Sequence, residues 1–383
     1  MKRINNLFTL GLITIAGYGL VNLYQQPKAQ RVHKQQRTPK PNTAKGNNAA
    51  QTQLPLIVGN GFCGAKNPSG FVLPSLRTYL RRQFSEPHHT ELLRRLTRES
   101  LLDFVESEPD QIPEFKLHLL WTLVEQSEGN FQAGYQAISD ARDLKPDDPE
   151  LAYFHAKLGQ KLLQSSDAVE SYTTYLQTYP QDVQTKEQLE RLKVHQAITA
   201  NYQRITDNGI SLLFPEEGSD FSGHTLLVQQ WLGQASELVG GQALSELSVV
   251  IYPSRSELLA TTCAPMWAGG IFDGIVRVVS STDEIGFGKL IKHELLHAQL
   301  QYTLPQGAPA WFHEGLAQYF AQQIPQPDIW RERMVQFTTW MPFESLQKGF
   351  TEFESETDKQ LAYRQSALMI DWVIDQQGDE DRK

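Results

Sequence analysis

Residues 288–302 have the sequence GKLIKHELLHAQLQY and contain the pattern H-E-x-x-H at His293, Glu294 and His297. The surrounding apolar residues recur at helical spacing. Because four residues make just over one helical turn, both imidazoles project from one face, where they can share one metal ion. Glu294 lies beside them, facing the open coordination position. The stretch predicts a metal-binding helix; the alternative is a polar helix face on which Glu294 pairs with a neighbouring lysine.

A second helix is predicted over residues 309–320, PAWFHEGLAQYF, after a turn region rich in Pro and Gly. Pro309 suits the first turn of a helix. Glu314 lies seventeen residues beyond His297, and an antiparallel arrangement of the two helices brings it opposite both histidines. The expected ligand set is His293, His297 and Glu314, with water in the fourth position.

H-E-x-x-H followed by W-x-x-E-G-L-A resembles the gluzincin branch of zinc metallopeptidases, the thermolysin-like enzymes. The resemblance covers residues from about 200 to 383 and implies that Glu314 is the third ligand of a Zn²⁺ ion. No GAMEN-like anchor of the related aminopeptidases is present, which weakens an aminopeptidase interpretation. Upstream, LSVVIYPS (247–254) is typical of a strand. MWAGGIFDGIVRVV (266–279) predicts a Gly-punctuated turn that leads to an edge strand, which in such folds pairs with the extended substrate backbone.

This resemblance implies hydrolysis of peptide bonds in peptide or protein substrates. Zinc lowers the pKa of its bound water towards neutrality and polarises the scissile carbonyl, while Glu294 takes the water proton and returns it to the leaving amine. Tyr363 is at a position that resembles the oxyanion-stabilising tyrosine of related peptidases. The alternative for Tyr363 is an aromatic side chain packed in the core.

The expected fold class is α+β: a zincin-like peptidase domain over residues 201–383, with a small mixed sheet near 203–279 and zinc-binding helices, preceded by a helical repeat segment. The rival function is a catalytically idle binding or scaffold protein, in which the metal is structural and the repeats recruit a protein partner. Glu294 favours the enzyme, because a structural zinc site needs no general base and usually fills its fourth position.

A 34-residue repeat precedes that domain, since Pro146 aligns with Pro180 and Asp148 with Asp182. Together with helical patterns between residues 114 and 179, this resembles the tetratricopeptide repeat. Two repeats are fewer than the three usually needed for stability, so we expect them to pack against neighbouring helices and the catalytic domain. They offer a surface for a protein partner or act as a spacer. The predicted segments are a helical lead-in (54–109) and the repeats (110–200).

Residues 1–24 predict a membrane anchor, because an uncharged apolar run follows Lys2 and Arg3 and is near the lower length limit for a span. No clear A-x-A cleavage site follows, which favours an uncleaved anchor over a removed signal peptide. More basic residues follow the run than precede it, which favours a cytoplasmic body, whereas an anchor at the chain start commonly exports the rest of the chain. We expect a single-pass protein on the extracytoplasmic (periplasmic) side of the inner membrane. Residues 25–53 predict a flexible linker.

Composition excludes two classes of function. Lys and Arg number 35 against 44 Asp and Glu, a net charge of −9, so nucleic-acid binding has no basic footprint. The two cysteines, Cys63 and Cys263, form no C-x-x-C pair, so a thiolate zinc site has no support. A disulfide between them and unpaired buried thiols both remain open.

Overall fold

Helices fill the first part of the described chain in the computed structural model. The lead-in helices are α1 (Leu76–Gln83), α2 (Pro87–Arg94) and α3 (Arg98–Ser107). Longer helices follow: α4 (Glu114–Glu128), α5 (Phe131–Leu144), α6 (Pro149–Lys161), α7 (Ser165–Thr178) and α8 (Val183–Ile198). The structure describes residues 75–84, 87–107, 112–216, 221, 223–280, 284–304, 308–323, 340–350 and 353–380.

Two aspartates begin equivalent helices. Asp148 caps α6 by accepting hydrogen bonds from two backbone N–H groups of the first turn, and Asp182 caps α8 by accepting one. Each carboxylate also accepts a tyrosine hydroxyl, from Tyr79 at 2.6 Å and from Tyr175 at 2.9 Å. The 34-residue spacing in the sequence therefore corresponds to equivalent helix starts. The helices predicted between residues 114 and 179 are confirmed, whereas the tetratricopeptide resemblance and the domain boundaries stay predictions.

A mixed five-stranded sheet follows, with the order β1-β2-β3-β5-β4. The outer pairs, β1–β2 and β4–β5, are antiparallel, and the inner pairs are parallel. Its strands are β1 (Tyr202–Asp207), β2 (Ile210–Pro215), β3 (Leu247–Tyr252), β4 (Gly270–Phe272) and β5 (Val276–Val279). The helices among and after them are α9 (His224–Val239), α10 (Arg255–Thr261), α11 (Glu284–Thr303), α12 (Ala310–Phe320) and α13 (Glu356–Glu380).

The predicted edge strand needs a correction. Residues 266–279 contain two strands, and the one before α11, β5, is internal because it pairs with both β3 and β4. The edge strand is β4, which comes earlier in the chain. Gly274 has φ +102°, a conformation that glycine adopts readily, so the chain turns back there and places β5 inside the sheet.

The two faces of the sheet are covered by different parts of the chain. Val249 and Ile251 of β3 pack in one apolar cluster with Leu295 and other residues of α11. The alternating residues Val250 and Tyr252 pack in a second cluster with Leu163, Leu258 and Ile275, against which Ile198 also packs. Side chains of successive strand residues point to opposite faces. The helical segment therefore covers the sheet face opposite α11 and supplies part of the core of the α/β portion.

Polar contacts join the same two parts. Lys161 at the end of α6 donates a hydrogen bond to the Tyr302 hydroxyl in the last turn of α11, with 2.9 Å between the two atoms. Buried His195 of α8 contacts the Tyr252 hydroxyl at 3.1 Å, and that hydroxyl also accepts from buried Arg277 at 2.9 Å. These contacts lie within Asn60–Lys383, which form one compact unit.

The described residues contain only part of the features that the sequence analysis linked to a membrane and to the two cysteines. Within the ranges that the structure describes, no helix combines the length and apolar character needed to cross a bilayer. The predicted anchor (1–24), the predicted linker (25–53) and Cys63 lie outside those ranges. Cys263 is disulfide-bonded.

Candidate metal centre

Helix α11 presents His293 and His297 to a cleft. Its other face carries Ile291, Leu295 and Ala298 into the apolar cluster with the sheet. The two imidazoles, one turn apart, have their Nε2 atoms 3.2 Å from each other and their ring planes 74° apart. Because the two histidines are one helical turn apart, their Nε2 atoms converge on one point.

Glu314 reaches the same point from α12. Pro309 is the N-cap of this helix, one position before the predicted first turn. The Oε2 atom of Glu314 lies 3.4 Å from His293 Nε2 and 3.5 Å from His297 Nε2. The structure therefore brings together the three side chains that the sequence predicted as ligands.

Gly315 on α12 allows α13, which forms another wall of the site, to pack closely against α12. A Cβ atom at this position would lie 2.5 Å from the backbone oxygen of Ser366 and 2.7 Å from Cγ1 of Ile370, both on α13. Real Cβ atoms do not approach backbone this closely, so the glycine permits α12 and α13 to pack in direct backbone contact. The Gly of W-x-x-E-G-L-A therefore sets the position of α13, which carries Tyr363.

The separations among the three ligand atoms fit one metal ion. All three atoms lie within 4.8 Å of one another, and the pairwise values are 3.2, 3.4 and 3.5 Å. A tetrahedral ion bound at about 2.0–2.1 Å separates its ligand atoms by roughly 3.3–3.4 Å. Glu314 Oε2 is buried without a hydrogen-bond partner, and the two imidazole nitrogens lie 3.4 and 3.5 Å from it. The group can hold a metal ion.

Electrostatics around Glu314 also suit a cation. Burial alone raises the pKa of its carboxyl group, but the charge of His297 and the contacts with both imidazoles lower the pKa well below its usual range. In return, Glu314 raises the pKa of His297 against the effect of burial. The carboxylate thus stays ionised and available as a ligand.

Glu294 lies beside the ligands under the edge strand. It is 6% exposed, and burial is the main reason that its pKa is raised, with Glu314 and Asp273 adding to the effect. A Cβ atom at Gly270 of β4 would lie 2.9 Å from Glu294 Oε1. The strand backbone therefore passes close to the carboxylate, and any residue larger than glycine at position 270 would push the Glu294 side chain aside.

A cleft of about 830 Å³ opens over these groups. One wall is the loop and edge strand from Pro265 to Phe272, and the other is one face of α13, which includes Lys359 and Tyr363. The Tyr363 ring meets Trp267 edge-on, with 5.7 Å between ring centroids. Burial and the charges of Glu314 and Glu294 raise the pKa of Tyr363. Tyr363 thus lies in the same cleft as the ligand group.

Two contacts of the site were not predicted from the sequence. Gln323 Oε1 lies 3.0 Å from His293 Nδ1, and Gly270 lies against Glu294. His313 also lines the cleft, and its ring stacks on that of His297 with 6.5 Å between the ring centroids. It is not part of the three-residue ligand group.

Comparison with known proteins bears on the C-terminal part of the chain. Residues 227–382 match the family model of the Peptidase MA superfamily. No curated protein matches the chain. The matched region begins within α9 and contains β3, β4, β5, the ligand group and Tyr363. The match supports a zinc metallopeptidase-like domain at residues 227–382, and a peptidase domain implies peptide or protein substrates.

Proposed function

We propose that this protein is a zinc-dependent peptidase that hydrolyses peptide bonds. The observation that carries the proposal is the convergence of His293, His297 and Glu314 on one point, with Glu294 beside them in an open cleft. The match of this region to the Peptidase MA superfamily supports it. A catalytically idle scaffold is the rival, and the presence of Glu294 beside the three side chains favours the enzyme, because a structural zinc site needs no general base.

Zinc is the ion that best suits this donor set. Two imidazole nitrogens and one carboxylate oxygen match catalytic zinc sites, which keep a fourth position open, whereas Ca²⁺ and Mg²⁺ prefer oxygen ligands throughout. His293, His297 and Glu314 would hold the ion. When bound there, zinc supplies a Lewis acid and lowers the pKa of water.

Glu294 is proposed as the general base. Its carboxylate accepts a proton from the water that attacks the scissile carbonyl carbon and then delivers that proton to the leaving nitrogen. Burial raises the pKa of Glu294, which makes its carboxylate a stronger base than that of an exposed glutamate. Strand β4, which is the edge strand of the described sheet and lies next to Glu294, can pair with an extended substrate backbone.

Substitution of Gly270 by Ala should slow hydrolysis while leaving the metal bound. The new Cβ would lie 2.9 Å from Glu294 Oε1 and would therefore displace the end of that side chain. A shift of about 1 Å in a catalytic group can cost about 100-fold in rate. The control is Gly233→Ala on α9, where a new Cβ meets no atom within 4 Å. Unchanged kcat in Gly270→Ala, measured beside zinc content, would contradict the position proposed for Glu294.

Tyr363 is proposed to stabilise the oxyanion that forms on the substrate carbonyl. Tyr363→Phe keeps the ring that packs on Trp267 and Phe350, and it should lower kcat by about 100–1,000-fold with little change in the melting temperature. Tyr319→Phe on α12 is the matched control, because Tyr319 does not line the cleft. If kcat stays within a few-fold of wild type, Tyr363 is a packing residue only.

The remaining parts of the chain are proposed to locate the enzyme. Residues 1–24 would anchor it to the inner membrane with the body on the periplasmic side, and the tetratricopeptide-like helices would offer a surface to a protein partner. The helices also cover one face of the sheet, which supports a second role in holding the catalytic domain. Protease accessibility in intact cells and in spheroplasts would test the location, and protection in both would contradict it.

Hydrolysis itself is tested with the purified chain and a quenched peptide library, with cleavage sites identified by mass spectrometry. The expected result is cleavage that stops when a chelator removes the metal and returns when zinc is added. Cleavage that persists without metal would contradict the zinc mechanism. Zinc binding without cleavage of any peptide or protein offered would favour the scaffold interpretation.

A further inference from the structure

We propose that Gln323 is a positioning residue that fixes the tautomer and the ring orientation of His293. The proposal rests on the proposed metal site. Gln323 Oε1 lies 3.0 Å from His293 Nδ1, on the side of the ring opposite the Nε2 atom that faces Glu314. A neutral imidazole carries one N–H. When Nδ1–H donates to the amide oxygen, the lone pair of Nε2 is free and points at the metal position.

The C-terminal cap of α12 delivers Gln323 to this place. The N–H of Gln322 donates to the carbonyl of Tyr319, and the N–H of Gln323 donates to the carbonyl of Gln318, each at 3.0 Å. With Gln322 in the left-handed region at φ +51°, this is a Schellman motif, the usual way in which a helix turns off its axis. The motif directs Gln323 back towards α11 instead of letting the helix continue.

Two further observations link this cap to the site. Glycine is the residue usually found at the left-handed position, whereas this chain has Gln322 there at a conformational cost. Glu314 on the same helix contacts Nε2 of His293, and Gln323, which follows the C-terminal end of that helix, contacts Nδ1. Any displacement of α12 would change the ligand and its orienting partner together.

The test measures zinc affinity of the apo protein by competition with a chromophoric chelator. Gln323→Met removes the acceptor while keeping the length of the side chain, and it should weaken zinc binding by about 10–100-fold, as loss of an outer partner of a metal-bound histidine typically does. Gln323→Glu keeps an acceptor and should bind zinc at least as tightly as wild type. Gln360→Met, at an exposed glutamine in the same cleft, is the matched control and should leave the zinc affinity unchanged.

The melting temperature of each apo variant separates positioning from folding. If Gln323→Met does not fold, Gln323→Asn carries the test, because its shorter side chain withdraws the acceptor and should weaken zinc binding in the same way. Wild-type affinity in a folded Gln323→Met or Gln323→Asn would overturn the inference, as would equal weakening in Gln323→Glu. A wild-type chain that binds no zinc would instead overturn the proposed function itself.

Discussion

Glu294→Gln is expected to reduce peptide hydrolysis by about 100–10,000-fold, the usual contribution of general acid–base catalysis, while zinc remains bound at one ion per chain. The amide has nearly the same shape as the carboxylate but cannot accept the proton of the attacking water. Glu294 is outside the three-residue ligand group, so metal binding does not depend on it. Steady-state kinetics and metal analysis of the same preparation give both quantities.

The control for this variant is Glu237→Gln, an exposed carboxylate on α9, which should leave both quantities unchanged. Removal of the buried carboxyl group could also alter folding, so the melting temperature of Glu294→Gln is measured in parallel. A folded Glu294→Gln variant with wild-type kcat would remove Glu294 from the mechanism.

Glu314→Gln is expected to lose both the bound metal and peptide hydrolysis, whereas Glu294→Gln should lose hydrolysis alone. An amide oxygen carries no net charge, and Glu314 is the only carboxylate in the ligand group. The loss of zinc affinity should exceed the 10–100-fold that follows loss of an outer partner. Competition with a chelator measures the affinity, and activity should return partly at high zinc concentration.

Comparison of the two glutamate variants separates binding from catalysis. Metal retained in Glu294→Gln and lost in Glu314→Gln would agree with the assigned roles. Tight zinc binding in Glu314→Gln would mean that another side chain supplies the third ligand. His313 also lines the cleft, so it would be the first residue to substitute in the search for that ligand.

Much of the helical framework could be predicted because its signals are local. His293 and His297 are one helical turn apart on any helix, and apolar spacing alone located α4 to α7. The division of residues 266–279 into β4 and β5 could not be predicted in the same way. Strand order depends on which partner strand is near, and the turn at Gly274 only shows that the chain reverses.

The convergence of His293, His297 and Glu314 could be predicted from two short motifs, whereas the groups that contact these side chains and Glu294 could not. Gln323 is thirty residues from His293 in the chain, and its approach depends on the helix cap of α12. Gly270 reaches Glu294 only after β4 has paired at the sheet edge. Such contacts arise from tertiary packing and have no periodic signature in the sequence.

The role of the helical segment in the core was also only partly foreseen. Packing between repeats and catalytic domain was expected because two repeats are too few to be stable alone. The structure shows where the helical segment packs on the sheet, since Leu163 contributes to the same apolar cluster as Val250 and Tyr252. Val250 and Tyr252 alternate along β3 with the side chains that face α11, so each face of the sheet packs against a different part of the chain.

The central claim is that one zinc ion, held by His293, His297 and Glu314, is required for peptide hydrolysis. The most direct measurement is a titration of the metal-free chain with zinc in which bound metal and the rate of peptide cleavage are followed in the same samples. We predict that both rise together and saturate at one zinc per chain. Absence of zinc binding, or a cleavage rate that does not depend on bound zinc, would contradict the claim.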